Sequence, residues 1–313
     1  MKFSEMLRDR INGALIYGIT PPKEKIEREK LIRLAERRTN RINALDCNAL
    51  IIYDIQDETS RTDEKRPFDY LPPLDPMQYI TDYHQSVNCE KIIYHVAGKY
   101  SKTELYERIC RANQLGYLSV FVGSASKKQV VRTHLDEAYD VWNKCPDKTN
   151  LGAIVIPERH EAKKNEHLRV IDKQNKGCGF FVSQCVCNVE IVKNFLSDYL
   201  YYALDNGLDL TYFVFTLTVC GKKETLDLMN WLGIDIPRWM KNDLVHSVDI
   251  IEESIEQNLR IAMDLFDYCK RNKISCGFNI ESVSPNKAEV EGTVTLFNEI
   301  RKGLQTLNMR KEV

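Results

Sequence analysis

The sequence predicts an α/β fold, a single (β/α)8 barrel over residues 1–313. Three observations predict it. Eight short runs of apolar, β-branched or aromatic residues recur along the chain, amphipathic stretches lie between many of them, and 313 residues suit one barrel with its loops. Runs with little polar alternation belong to strands buried on both faces, as in a parallel sheet. A doubly wound sheet with an appended helical segment is the alternative.

The first run, ALIYGIT at 14–20, stops at Pro21 and Pro22. The segment 24–42 follows, with Leu31, Leu34, Ala35 and Ile42 near one helical face. ALIIYDI at 49–55 leads into a long, charged, proline-containing loop at 57–78. KIIYHVA at 91–97 precedes the stretch 102–116, where Ser101 and Glu104 have capping-box spacing and Gly116 supplies a C-terminal stop. YLSVFVG at 117–123, GAIVIPE at 152–158 and FFVSQCV at 180–186 are the next strands. Helices are expected at 188–207, 223–233 and 248–272, around the strand YFVFTLTV at 212–219 and before the strand SCGFNIES at 275–282. Residues 234–247 read as an irregular connection, with Trp239 as a packing anchor.

Composition narrows the function classes. The formal net charge is −1, which argues against a general nucleic-acid binder. The opening MKFSEMLRDRINGAL has no secretory apolar core, and no run is long enough to span a bilayer, so a cytoplasmic protein without a membrane partner is expected. The ten cysteines include no CxxC pair and read as reduced, mostly buried thiols. A zinc site from Cys185, Cys187, Cys220 and Cys276 is the competing idea, but no metal is expected.

In such barrels the site lies at the C-terminal ends of the strands. The polar residues there are Thr20; Asp54, Gln56 and Asp57; His95; Ser124 and Ser126; Glu158 and His160; Gln184 and Asn188; Thr216 and Thr218; and Asn279, Glu281 and Ser282. The ring has histidines and carboxylates for acid–base work, but no Ser-His-Asp order and no Gly-rich phosphate loop. Plainer readings stand beside these. His95 suits a packed histidine with one hydrogen bond, and Glu158 with His160 suits a surface ion pair. Gln184 is harder to dismiss, because a buried amide needs partners for four hydrogen-bonding positions.

Several of these residues carry a resemblance. The matching pieces are Pro21-Pro22, His95, Pro157-Glu158-Arg159-His160, Lys173 with Gly177, and Val182-Ser183-Gln184 with Asn188-Val189-Glu190. Ile236-Pro237-Arg238-Trp239-Met240 and Ile261-Ala262-Met263-Asp264 follow in the same order. Together they cover most of the chain, which resembles the catalytic barrel of the methylenetetrahydrofolate reductase family. The resemblance implies FAD along the strand tops, a folate substrate and NADH or NADPH as hydride donor. It implies that His95, His160, Glu166 and Lys173 contact the flavin and Gln184 the folate. Thr20 and Asn279 complete the candidate substrate contacts.

The chain departs from that pattern where the chemistry sits. The family's general-acid glutamate on the first strand is Gly18 here, and its Arg-Gly-Asp on the fourth is Gly123-Ser124-Ala125. Ile156 and Asn279 stand where the family has aromatic residues, and Tyr53-Asp54-Ile55 replaces Thr-Tyr-Gly. The candidates for a replacement acid are Asp54, Asp57, Glu158 and Glu281. The expected function is a flavin-dependent oxidoreductase acting on a folate or a related C–N compound in one-carbon metabolism. The alternatives are a non-redox folate-binding or methyl-transferring barrel without FAD, and a catalytically silent partner subunit. A homo-oligomer is compatible with each.

Overall fold

Eight parallel strands close into a barrel in chain order, β1 to β8, in the computed structural model. The structure describes residues 1–124 and 129–309. The strands are β1 (Ala14–Ile19), β2 (Ala49–Ile52), β3 (Glu90–Val96), β4 (Leu118–Val122), β5 (Leu151–Val155), β6 (Cys178–Cys185), β7 (Tyr212–Thr218) and β8 (Ser275–Glu281). All eight fall within a few residues of the predicted runs, and closure between β1 and β8 rules out the doubly wound alternative.

Twelve α-helices appear among the described residues: α1 (Phe3–Asp9), α2 (Arg28–Leu45), α3 (Pro76–Tyr83), α4 (Lys102–Gln114), α5 (Leu135–Lys144), α6 (Pro157–Lys163), α7 (Glu166–Asn175), α8 (Val189–Asp205), α9 (Lys223–Trp231), α10 (Arg238–His246), α11 (Ile250–Arg271) and α12 (Lys287–Met309). The predicted capping box holds. Ser101 Oγ accepts from Glu104 N at 3.3 Å, and Ser101 N donates to the Glu104 carboxylate at 2.7 Å. Residues 234–247, expected to be irregular, contain α10, and its Trp239 is exposed rather than an anchor. Among the described residues no helix is long and apolar enough to cross a membrane.

Side chains alternate across each strand, which creates two apolar layers. Ala14, Ile16, Ala49, Ile51, Ile92, Tyr94, Leu118, Val120, Phe180, Val182, Tyr212 and Val214 fill the barrel interior. Leu15, Tyr17, Leu50, Ile93, Phe121, Phe181, Phe213 and Phe278 face the helices. The N-terminal end is plugged by α1, whose Phe3 meets the rings of Phe180 and Tyr212 edge-on at 5.3 and 5.6 Å. The C-terminal end of the barrel is left open. Gly277 lets β8 approach β1, since a Cβ there would lie 2.6 Å from Ala14 O. The ten cysteines are free. Cys276 contacts Cys269, and among the described residues Cys185, Cys187, Cys220 and Cys276 form no group within metal-binding distance, so the four-cysteine zinc site is not assembled.

Candidate ligand cleft at the barrel mouth

Above the apolar interior, the C-terminal strand ends open into a cleft of about 1050 Å³, at the upper end of the usual size of small-molecule sites. Thr20, Asp54, Glu166, Lys173, Gln184 and Glu281 of the predicted set line it. The loop after β2 forms part of one wall through Glu58, Arg61 and Arg66. It is held there by Trp231, whose Nε1 donates to Glu64 O at 3.1 Å beneath the Arg66 guanidinium.

The floor is built from interior positions of adjacent strands. Gly18 of β1 is the register partner of Glu281 on β8. A Cβ on Gly18 would stand 3.0 Å from Tyr53 Cε2, 3.0 Å from Asn279 Oδ1 and 3.1 Å from Glu281 Cβ. The bare tip of β1 is therefore where three neighbouring side chains close in. Asn279 is fully buried, and its Nδ2 donates to the Tyr53 hydroxyl at 2.7 Å and to Thr216 Oγ1 at 3.2 Å. Tyr53 packs edge-on against Tyr94 at 4.8 Å. Glu281 is surrounded by protein except toward the cleft. Burial pushes its carboxyl up to about 7, with hydrogen bonds from Tyr53 and Asn279 pulling the other way.

The other predicted carboxylates are placed differently. Asp54 lines the cleft, but its oxygens are occupied. It accepts from Val96 N at 2.9 Å, from Tyr100 Oη at 2.9 Å and from the Lys99 ammonium. Asp57 is exposed and outside the cleft, accepting from Thr59 N at 2.9 Å in a local turn. Glu158 is not on a strand. Pro157 starts α6, a position proline favours, and this turns Glu158 toward Asp235, outside the cleft. Its carboxyl is also raised to about 7 by burial.

The predicted flavin contacts divide in two. His95 has the parity of Ile93 and faces the helix layer, away from the barrel interior. There it is wholly buried, 3.2 Å from Ser119 Oγ and edge-on to Phe121. Burial, and then the Arg108 guanidinium, lower its pKa to about 3, so it is a neutral packed histidine. His160 lies on the helix side of α6, with Nε2 2.9 Å from Asp198 Oδ2 and its ring against His167 and Phe195. Glu166 and Lys173 do reach the cleft wall. Glu166 Oε1 accepts from Ile156 N at 3.1 Å, and Lys173 Nζ donates to Ile154 O at 2.6 Å. Burial lowers the Lys173 pKa to about 8.

Gln184 lines the cleft and donates from Nε2 to Leu232 O at 3.1 Å, which ties β6 to the loop after α9. Thr20 lines the rim, and its carbonyl accepts from Arg38 at 2.8 Å. Ala125 and Ser126 lie outside the described residues. Sequence reasoning had not assigned Tyr53, Tyr94, Arg159 or Trp231 to the cleft. Strand parity counted from Ile51 finds Tyr53. Nothing local marks Arg159 or Trp231, which reach the cleft from helices.

His160, His167 and Asp198 each offer a ligand atom within 4.8 Å of the others, on the outer helices. The Nδ1 atoms of both imidazoles have no protein partner among the described residues. The group lies apart from the cleft.

No family model and no curated protein matches the chain. Among solved structures, it is 38% identical to an uncharacterized protein from Clostridium thermocellum that binds two copies of 5-methyl-5,6,7,8-tetrahydrofolic acid. That match covers 95% of this chain and 98% of the other, with a TM-score of 0.82. The oxygenating constituent of 3,6-diketocamphane monooxygenase from Pseudomonas putida, solved with FMN, is 12% identical over 91% of this chain and 96% of its own, with a TM-score of 0.53. That likeness is one of fold alone. Identity of 38% over 95% of the sequence is of another order, and the chain belongs to the same family as the Clostridium thermocellum folate-binding protein.

Proposed function

We propose that the protein binds a reduced folate, with the pterin ring in the barrel mouth. The observation that carries this reading is the composition of the floor. A half-buried carboxylate, Glu281, and the amide of Gln184 stand over an apolar interior beside the Tyr53–Tyr94 pair. A pterin edge carries ring donors and acceptors side by side, which suits a carboxyl and a primary amide in a water-poor place. Its flat face suits an aromatic wall. The glutamate tail of a folate is anionic, and Arg159, Lys163 and Arg169 line the outer part of the same cleft. Folate binding by the 38%-identical relative supports the same reading.

The second reading is reduction of a folate by NADH or NADPH through FAD, as in methylenetetrahydrofolate reductase. Glu166 and Lys173 on the cleft wall favour it. The residue set as a whole does not fit a flavin. His95 and His160 face the helices, Glu166 Oε1 and Lys173 Nζ bond the backbone of Ile156 and Ile154, and Glu166 Oε2 lies 3.2 Å from Arg169 Nε. We therefore favour a folate-binding or methyl-transferring barrel that works without FAD.

Two measurements on the purified protein test this. Titration calorimetry with 5-methyltetrahydrofolate is expected to give saturable binding, and the absorbance spectrum is expected to lack flavin bands. A yellow protein whose bands survive gel filtration would support the flavin reading. Absence of binding with the fold intact would overturn the folate reading.

A further inference from the structure

We propose that Glu281 holds a proton against the bound pterin, a carboxyl supplied from β8 at the place where β1 has no side chain. The inference rests on the folate reading above and adds a role for one residue.

Three features carry it. Gly18 and Glu281 are register partners, so the carboxyl stands one strand away from the bare tip. The space over Gly18 is taken by Glu281, Asn279 and Tyr53, so that even a methyl group on residue 18 would press on all three. Glu281 also lines the cleft, so its carboxyl is within reach of a ligand.

The surroundings of the carboxyl set its chemistry. Tyr53 faces it from the end of β2, Tyr94 from β3, Cys185 from β6 and Asn279 from its own strand. Tyr53, Tyr94 and Cys185 are held neutral: burial raises the two phenols, and the hydrogen bond with Cys187, then burial, raises the Cys185 thiol, each well above its ordinary value. Among the described residues no cation shifts Glu281, whose carboxyl is pushed up to about 7. Near neutrality it is both protonated and ionised, whereas an exposed glutamate would be ionised almost completely. In its protonated form it donates its O–H to a basic nitrogen of the reduced pterin. No bond other than this hydrogen bond forms, and no electrons move. A ligand that selects the protonated carboxyl must draw one proton from solvent when it binds above the carboxyl's pKa.

The test is calorimetric titration with 5-methyltetrahydrofolate between pH 6 and 9, in two buffers of different ionisation enthalpy. For the wild type, affinity is expected to be level up to about pH 7. Above that it should fall toward about tenfold per pH unit, with proton uptake approaching one per ligand. Glu281→Gln keeps a donor in place but cannot titrate, so its affinity should be independent of pH over this range and its proton uptake zero. Tyr53→Phe removes a hydrogen bond that stabilises the ionised form, so the break in the wild-type profile should move to higher pH. This second variant covers the case in which Glu281→Gln does not fold. A profile unchanged in Glu281→Gln, or unmoved in Tyr53→Phe, overturns the proposal while leaving folate binding intact. Absence of binding to the wild type overturns the folate reading and this inference together.

Discussion

Asp54→Ala is expected to lower the free energy of unfolding by about 2–5 kcal/mol, chiefly by leaving two donors unpaired at about 1–3 kcal/mol each. The side chain of Asp54 is wholly buried, and it joins the end of β2 to the segment between β3 and α4. It accepts from Val96 N, Tyr100 Oη and the Lys99 ammonium. Alanine would leave the Val96 N–H and the Tyr100 hydroxyl without a partner in a place water reaches poorly. Lys99 is one-third exposed and recovers part of its hydration, so most of the cost falls on the two neutral donors. Guanidinium unfolding of the variant checks the magnitude. A useful control is Glu256→Ala, which removes an exposed pair with Arg260 on α11 and should cost less than about 1 kcal/mol. If Asp54→Ala unfolds like the wild type but no longer binds folate, Asp54 serves the ligand and its ties to Lys99 and Tyr100 are incidental.

Gln184→Ala is expected to weaken folate affinity by about 5- to 150-fold, the equivalent of 1–3 kcal/mol for a polar partner left unpaired in a dry site. Gln184 sits at the end of β6 with Cys185 and Ser183 beside it on the cleft lining. Its Nε2 is given to Leu232 O, so the amide is already oriented before a ligand arrives. The competing account is that this bond to Leu232 is its whole purpose. Measuring melting temperature and affinity on the same variant separates the two. A melting point lowered by many degrees, with affinity per folded molecule unchanged, would make Gln184 a strut between β6 and the loop after α9.

The strands were legible in the sequence because a parallel barrel buries both faces of each one. Burial of this kind writes a continuous apolar run, as at 212–219, that needs no knowledge of the partner strand. Helices were legible where a cap and a regular apolar face coincide, as at Ser101 and Glu104 before α4. They were missed where the local signal points elsewhere. Pro157 reads as the end of a strand, yet it is the first residue of α6, and this carried Glu158 and His160 off the strand top. The helix α12 contains Gly292 and Gly303 close to neighbouring side chains, which blurs its propensity.

The site was legible only in part, because its membership depends on parity and register. His95 looked like a strand-top residue, but it shares the outward parity of Ile93 and belongs to the layer under the helices. Tyr53 was read only as a departure from a family pattern, although its parity is that of Ile51 in the interior. The loss of the acid at Gly18 was visible in the sequence. The carboxyl that adjoins it was one candidate among four, since the pairing of Gly18 with Glu281 joins residues at opposite ends of the chain. That pairing also accounts for the bare end of β1, where any side chain would compete with Tyr53, Asn279 and Glu281 for the same volume.

The central claim is that a reduced folate occupies the mouth of the barrel, and a crystal structure of the protein grown with 5-methyltetrahydrofolate tests it most directly. The account predicts pterin density over Gly18, with ring nitrogens within hydrogen-bond distance of the Glu281 carboxyl and the Gln184 amide, and the glutamate tail directed toward Arg159 and Arg169. Folate bound only elsewhere on the molecule, with the mouth holding solvent, would contradict it.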